Sequence, residues 1–330
     1  MPFLLTRTNL EDLKTDAKVI GSCPYRSGSF TTDWQPDLWA EQRRIRQMQP
    51  GESMVTSGKE FDAKCGIITL PPIWEGGERK ETLRLAACYD SSLRLANKRR
   101  CKSVAFSLLS GDCNGFPRDL ALKTAVDTIS EFLQKHEMTV YLSVKDAWVQ
   151  HLPKPQIPAL SEQNRQKRLS TQQLFEMMIR GEKAPEPEKA PAEEPLKPEA
   201  PQKQGPFSFL KPRHGEGDSS PFSEALFAHI AAQNLLDPQL CQKANLDRKV
   251  LARLRSGQYL PGKSTVVALC LGLELSLSET QEMLQKAGYD FSGDNTFDMI
   301  VKHYISQGNY RIMDINQALF VYEQPLLGGE

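Results

Sequence analysis

The chain has 330 residues, and its 41 lysines and arginines are balanced by 41 aspartates and glutamates, so its formal net charge is +0. This balance excludes a generally basic nucleic-acid-binding protein, and any such contact must rest on a local group of cations. No apolar run is long enough to span a bilayer, so we expect no membrane partner. The seven scattered cysteines form no CxxC pair and predict reduced thiols in a cytoplasmic protein. The five dispersed histidines lack ligand spacing, so we predict no metal site and no bound cofactor.

The first half of the chain alternates short apolar runs with stretches of helical periodicity, which is typical of an α/β domain. Apolar runs of four to six residues indicate buried strands, whereas apolar residues at helical spacing indicate helices with one buried face. The predicted strands cover residues 3–5, 16–21, 67–68, 104–109 and 139–144, and the predicted helices cover residues 35–47, 83–96 and 119–135.

The loop from Ser110 to Pro117 follows a predicted strand, contains two glycines and leads into a predicted helix. Such a loop brings free backbone N–H groups together, and its glycines let a ligand approach closely, which is how phosphates are held. The alternative is an ordinary strand-to-helix turn that binds nothing.

The residues around this loop resemble the second half of the macro domain, an ADP-ribose-binding module. The helix over 83–96 resembles the family's "CYxSSLxLA" helix, and Ser110 and Gly115-Phe116-Pro117 match its second phosphate loop. Asp16, Ala17 and Val19 fit a strand near its start. The resemblance covers residues 1–152 and implies a three-layer α/β/α macro-like domain with a mixed sheet, whose ligand is ADP-ribose or a related nucleotide.

The resemblance also implies which residues touch the ligand. Asn9 stands where the family has the aspartate that binds the adenine amino group. The two asparagines expected after the second strand are replaced within Ile20 to Cys23, and the first glycine-rich loop is shorter, without its glycine triplet and histidine. The predicted ligand-binding residues are Asn9, Cys23, Ser27, Gly28, Ser110, Gly111, Asp112, Cys113, Asn114, Gly115 and Phe116.

These departures favour a binding module over an enzyme, because catalytic members of the family activate water with groups around the ribose. The alternative is an ADP-ribosyl hydrolase. In that case Asp33 or Asp112 could supply a carboxylate as general base.

Composition changes after residue 152. Residues 182–206 are rich in proline, glutamate, alanine and lysine, so they cannot bury enough apolar surface to fold. We therefore predict a flexible linker over residues 153–219, with one helix within 161–180.

Residues 220–330 predict an all-α domain. Its helices are expected over residues 221–230, 239–244, 248–255, 265–273, 279–287, 297–306 and 314–320. Side chains that can accept a hydrogen bond from the first helical turn precede four of these helices, and the predicted caps are Ser220, Asp247, Ser264 and Ser278.

The first five of these helices, with a brief turn at Asn245-Leu246, resemble the lambda-repressor-type helix-turn-helix domain. That resemblance implies that the helix over 248–255 enters the major groove of DNA. The predicted DNA-binding residues are Arg248, Lys249, Arg253, Arg255, Gln258 and Lys263. The alternative is a related fold that contacts another protein. Together these features predict a nucleotide sensor coupled to a DNA- or protein-binding domain, or a DNA-binding regulator with a non-binding macro-like scaffold.

Overall fold

The computed structural model of the chain describes residues 2–22, 41–110, 114–161, 220–257, 259–293 and 295–329. Met1–Pro155 and Ser220–Glu330 form one compact unit. The two predicted domains therefore pack into one unit, which the sequence did not predict. Residues 162–219 lie outside the described residues, so the linker and its helix stay predictions. In the described ranges, no helix combines the length and the apolar character needed to cross a membrane.

The first part of the chain folds around a mixed sheet of six strands. The strands are β1 (Phe3–Thr6), β2 (Ala17–Gly21), β3 (Ser53–Ser57), β4 (Cys65–Thr69), β5 (Ser103–Ser107) and β6 (Thr139–Ser143). Their order is β1-β6-β5-β2-β4-β3, and only β3 is antiparallel to its neighbour. This confirms the predicted mixed sheet. Because the other five strands are parallel, their carboxyl ends meet at one edge, which we call the carboxyl edge.

The central strands are built from residues that suit burial on both faces. Every residue of β2 and β4 is buried, as expected where both faces of a parallel sheet are covered. Gly66 is required in β4, because a Cβ atom there would lie 2.3 Å from the Phe61 ring. One face of the sheet carries the buried cluster Leu10, Ile20, Phe61, Ile68 and Ala105.

The helices of this domain are α1 (Gln42–Ile45), α2 (Glu81–Lys98), α3 (Arg118–Leu133) and α4 (Asp146–Val149). The long helices α2 and α3 confirm the predicted helices and pack against each other. The predicted helix over 35–47 is shorter at its end, because the chain turns after Ile45 towards Pro50. Its residues 35–40 lie outside the described ones.

Glu81 fixes the loop that precedes α2. Its carboxylate, only 1% exposed, accepts hydrogen bonds from the backbone N–H groups of Glu75 (3.1 Å), Gly77 (3.1 Å) and Arg79 (2.8 Å). Burial alone would raise the pKa of Glu81, but these donors hold that pKa below its ordinary value. The stabilisation is therefore present above the ordinary glutamate pKa and is lost as the pH falls through the lowered value.

We expect Glu81→Gln to lower the melting temperature by several degrees, because an amide must turn its NH₂ group towards a backbone donor. We also expect the variant to lose less stability than the parent between pH 7 and about pH 3. Thermal unfolding of the full chain across that range measures both effects. Glu78→Gln, in the same loop but exposed, is the control. Equal melting curves for the two variants would show that the carboxylate does not hold the loop.

The second part of the chain is helical, as predicted. Its helices are α5 (Pro221–Ala232), α6 (Asp237–Lys243), α7 (Arg248–Arg255), α8 (Lys263–Gly272), α9 (Leu277–Lys286), α10 (Thr296–Ser306) and α11 (Ile312–Val321). The side chains of Ser220 and Asp247 accept hydrogen bonds from Ser223 N (3.2 Å) and Lys249 N (2.9 Å), which confirms these two caps.

Two predicted caps are wrong. Helix α8 begins at Lys263 after Gly262, so Ser264 already lies inside its first turn and caps nothing. Helix α9 is capped by Ser276 and not by Ser278. The reason is a reciprocal capping box, in which the Glu279 carboxylate accepts from Ser276 N at 2.8 Å while Ser276 Oγ accepts from Glu279 N.

The helical part docks on the outer strand β1 through Asn245. The Asn245 side chain accepts from Phe3 N (2.7 Å) and donates to Phe3 O (2.8 Å), and both bonds are buried. Asn245 has a φ of +53° in the turn between α6 and α7. A second contact is made by Arg7, whose guanidinium donates to Phe320 O (3.2 Å) and pairs with Glu323 (3.2 Å). These contacts join the ends of the described chain.

Candidate functional site

The loop after β5 begins from a rigid base at the carboxyl edge. Leu109 N donates to Tyr89 Oη at 2.9 Å, and the Tyr89 ring packs against Phe106 with 5.3 Å between the ring centroids. Tyr89 is fully buried, and burial raises its pKa, so the phenol stays protonated. Leu108 N donates to Ser143 O at the end of β6 (3.1 Å). The start of the loop is therefore held by both α2 and β6.

Ser110 combines two unfavourable features at the point where this loop leaves the base. Its φ is +62°, a left-handed conformation that serine rarely adopts. It is fully buried, and its hydroxyl has no hydrogen-bond partner among the described residues. A buried hydroxyl without a partner costs about 1–3 kcal/mol, and residues under such strain concentrate at ligand sites.

The far side of the loop is tied to the segment after β4. Asn114 Nδ2 donates to Pro71 O (3.2 Å) and Pro72 O (3.0 Å), and Asn114 O accepts from Trp74 N (2.8 Å). The Asn114 side chain is therefore interior and holds the loop in place, and the ligand contact predicted for Asn114 stays a prediction. Next to it, Gly115 has a φ of +67°, which a glycine adopts readily.

Trp74 and Phe116 form an aromatic wall beside the loop. Their ring centroids lie 4.8 Å apart with the planes tilted by 57°, and Trp74 remains partly exposed. The sequence predicts a ligand contact for Phe116 but none for Trp74. The sequence signal for such a role was a large aromatic residue directly after Pro71-Pro72-Ile73, shortly after the buried strand β4.

Asn9 lies near the same edge, just after β1. Its side chain is exposed and makes no capping bond to the short helical turn Leu10–Asp12. Ser143 Oγ donates to Thr8 O (2.7 Å), which connects the Asn9 segment through β6 to the loop after β5. The structure thus brings Asn9, Ser110, Gly115 and Phe116 to one edge of the sheet, the place where open α/β sheets bind ligands.

Several predicted residues cannot be placed. The predictions for Cys23, Ser27, Gly28, Gly111, Asp112 and Cys113 lie outside the described residues. The same is true of Asp33, which was named as an alternative base. Their contacts with ligand stay predictions.

The predicted DNA-binding residues are mostly engaged in contacts within the chain. Arg248 pairs with Glu137 at the end of the α/β domain, Arg255 forms a two-pronged pair with Asp237, and Lys263 pairs with buried Asp298. The Arg253 guanidinium lies 5.0 Å from the centroid of the Tyr259 ring.

Lys249 is exposed, and Gln258 lies outside the described residues. Four of the five described residues are therefore engaged in contacts within the chain, and DNA contact by all six stays a prediction.

Part of the chain is similar to known macro domains. Residues 27–125 match the family model of the macro domain. A macro domain-containing protein of Methanosarcina mazei is 42% identical over 109 residues, which are 32% of this chain and 58% of that protein. An O-acetyl-ADP-ribose deacetylase of Escherichia coli K12 is 36% identical over 115 residues, 33% of this chain and 65% of that enzyme. The chain thus spans less than two thirds of these curated relatives.

Solved macro domains are also similar. The macro domain of ganglioside induced differentiation associated protein 2 is 23% identical and covers 45% of this chain and 81% of its own, with a TM-score of 0.39. The Trypanosoma brucei macrodomain in complex with ADP is 25% identical, and the match covers 44% of this chain and 66% of that macrodomain, also with a TM-score of 0.39. The match of residues 27–125 to the macro domain model, together with the mixed six-stranded sheet, identifies a macro-like α/β domain, which a helical region follows.

Proposed function

We propose that the macro-like domain binds ADP-ribose or a closely related nucleotide at the carboxyl edge of its sheet. The observation that carries this proposal is Ser110, a strained and buried serine whose hydroxyl has no partner among the described residues. A ligand hydroxyl or phosphate oxygen at this loop would complete that hydrogen bond. The match of residues 27–125 to the macro domain supports the choice of ligand.

The neighbouring residues suit a phosphorylated sugar. Left-handed glycine at position 115 lets the backbone approach a ligand closely, and the loop precedes the first turn of α3, where backbone N–H groups lack helical partners. The partly exposed ring of Trp74 offers an apolar surface for the face of a ribose. Asn114 and Glu81 stabilise this geometry, because the side chain of each is hydrogen-bonded to the backbone of an adjoining loop.

Titration of the full chain with ADP-ribose by isothermal calorimetry tests the proposal, with Gly115→Ala as the variant. Gly257→Ala is a matched control, because Gly257 has the same φ of +67° and also has open space around it, but lies after α7. Both variants carry the same backbone strain. We expect micromolar binding by the parent and the control, and affinity at least about tenfold weaker, or about 1.4 kcal/mol, for Gly115→Ala.

Two results would contradict the proposal. The first is an absence of heat at millimolar ADP-ribose with a folded full chain. The second is an equal loss of affinity in both glycine variants, which would show that strain acts through stability and not at the site.

A second candidate function is the hydrolysis of O-acetyl-ADP-ribose. The observation that favours it is that relatives 34–36% identical to this chain, including the Escherichia coli K12 protein, are O-acetyl-ADP-ribose deacetylases. Incubation of the full chain with O-acetyl-ADP-ribose, followed by quantification of released acetate, separates this activity from binding alone. Calorimetric binding without acetate release above the uncatalysed rate would assign the chain to the sensors.

A further inference from the structure

The amino edge of the sheet, opposite the carboxyl edge, contains the ends of several helices. Helices α2 and α3 each connect two parallel strands, so both run opposite to the strands and end at this edge. Asn97 Nδ2 lies 3.5 Å from His136 Nδ1, which brings the two helix ends together. Thr139 N donates to Lys102 O at 2.9 Å, which adds the start of β5.

This edge carries a dense group of cations. Four of the five residues from Lys98 to Lys102 are basic, and all four are exposed. Among the described residues, no carboxylate lies within 4 Å of the side-chain cation of Lys98, Arg99, Arg100 or Lys102, although the backbone N–H of Lys102 donates to Asp16 Oδ2 at 2.7 Å. The Asp16 carboxylate itself pairs with Lys64. Lys135, at the end of α3, is exposed too, with only Glu131 at 4.0 Å.

The helical part extends this group. Gln242 Nε2 donates to Leu133 O at 3.1 Å, and Arg248 pairs with Glu137, which is two residues after Lys135. The first turn of α7 therefore lies beside the end of α3, and Lys249 follows Arg248 there. We call the resulting surface the basic end, which consists of Lys98, Arg99, Arg100, Lys102, Lys135, Arg248 and Lys249.

Helix dipoles do not explain the whole group. Cations at a helix C-terminus are stabilised by about 0.3–1 kcal/mol, which accounts for Lys98 and Lys135. Lys102 lies beyond α2, directly before β5. Arg248 and Lys249 lie in the first turn of α7, where the dipole disfavours a positive charge. Holding these cations together costs electrostatic free energy that a bound polyanion would recover.

We propose that the basic end binds the phosphodiester backbone of duplex DNA. Its cations come from three helix ends and from the residue directly before β5, so they form a surface rather than a pocket, which fits an extended polyanion. Two of the seven cations, Lys135 and Arg248, have a carboxylate partner. The other five have none at their side chains among the described residues, so they are available to neutralise phosphates and release the counterions of DNA. The site lies at the opposite edge of the sheet from the nucleotide loop, so DNA and nucleotide can be bound together.

The test uses the full chain and a fluorescent mixed-sequence duplex of about 20 base pairs, with anisotropy measured at salt concentrations from about 50 to about 200 mM. The variant is Arg99→Gln with Lys102→Gln, which removes two charges at similar side-chain length and avoids Arg100, whose φ is +57°. We expect the slope of log affinity against log salt to fall by about 1.8 and binding to weaken more than about tenfold.

Lys286→Gln is the control, because Lys286 is an exposed cation in the last turn of α9, outside the basic end. It should leave the slope unchanged, and circular dichroism should show all three proteins folded. Three results would overturn the proposal. They are no duplex binding at about 50 mM salt, an equal loss in the control, or binding to vesicles of anionic phospholipid in preference to DNA.

Discussion

Lys263→Ala is expected to destabilise the chain by about 3–5 kcal/mol, because it leaves a buried carboxylate without its counter-charge. Asp298 is fully buried, and its carboxylate lies 2.7 Å from Lys263 Nζ. The same carboxylate accepts from Ser292 N (2.7 Å), and Lys263 Nζ also donates to Asp290 O (2.7 Å). The ion pair thus ties the first residue of α8 to α10. Chemical denaturation of the full chain measures the loss.

Lys302→Ala is the matched control for this experiment. Both lysines lie over the Phe291 ring, at 5.8 Å for Lys263 and 5.2 Å for Lys302, but only Lys263 pairs with Asp298. The control should change stability by no more than about 1 kcal/mol. Lys263→Met combined with Asp298→Asn should recover much of the loss, because no buried charge remains. A loss as small as that of the control would refute the structural role of Lys263.

Asn245→Ala is expected to cost about 2–5 kcal/mol, because it leaves both backbone groups of Phe3 buried without partners. Alanine also tolerates the left-handed conformation less well than asparagine does. We expect the helical part to separate from β1, and hydrogen exchange at the Phe3 amide to accelerate. Exchange measured by NMR reports the separation, and denaturant unfolding reports the free energy.

Asn234→Ala separates the two contributions. Asn234 has a φ of +51° and is exposed, so its variant carries the backbone strain without the loss of the two bonds. Its cost should stay near about 1 kcal/mol. If Asn245→Ala were no more destabilising than Asn234→Ala, the amide of Asn245 would not hold the helical part on the sheet.

The sequence predicted those features that depend on neighbouring residues. Apolar periodicity was sufficient for α2, α3 and most strands, because one face of each helix and the whole of each central strand are buried. Caps were harder to predict, since Ser264 and Ser278 each have a competing start signal within two residues. At α9, the reciprocal bonds between Ser276 and Glu279 make Ser276 the cap in place of Ser278.

Features that depend on distant residues were not predictable. Asn245 and Phe3 are 242 positions apart, and no local pattern connects them. Lys263 looked like a surface cation, because nothing near it in the sequence indicates that Asp298 is its partner. The run from Lys98 to Lys102 does not by itself predict a binding surface, because no local pattern shows that the end of α3 and the start of α7 lie beside each other. The bonds from the Asn114 side chain to Pro71 and Pro72 span more than 40 positions, so the sequence could not show that this side chain is interior.

Asn245 occupies the outer hydrogen-bonding groups of β1, and this limits where the chain can be truncated. Phe3 directs its N–H and C=O away from β6, and an outer strand with such groups free is a template for pairing with another polypeptide. A fragment that ended before α5 would present those groups to solvent and invite self-association. The helical region therefore caps the outer strand of the sheet. A protein that received the α/β domain alone would need another group to bond the N–H and C=O of Phe3.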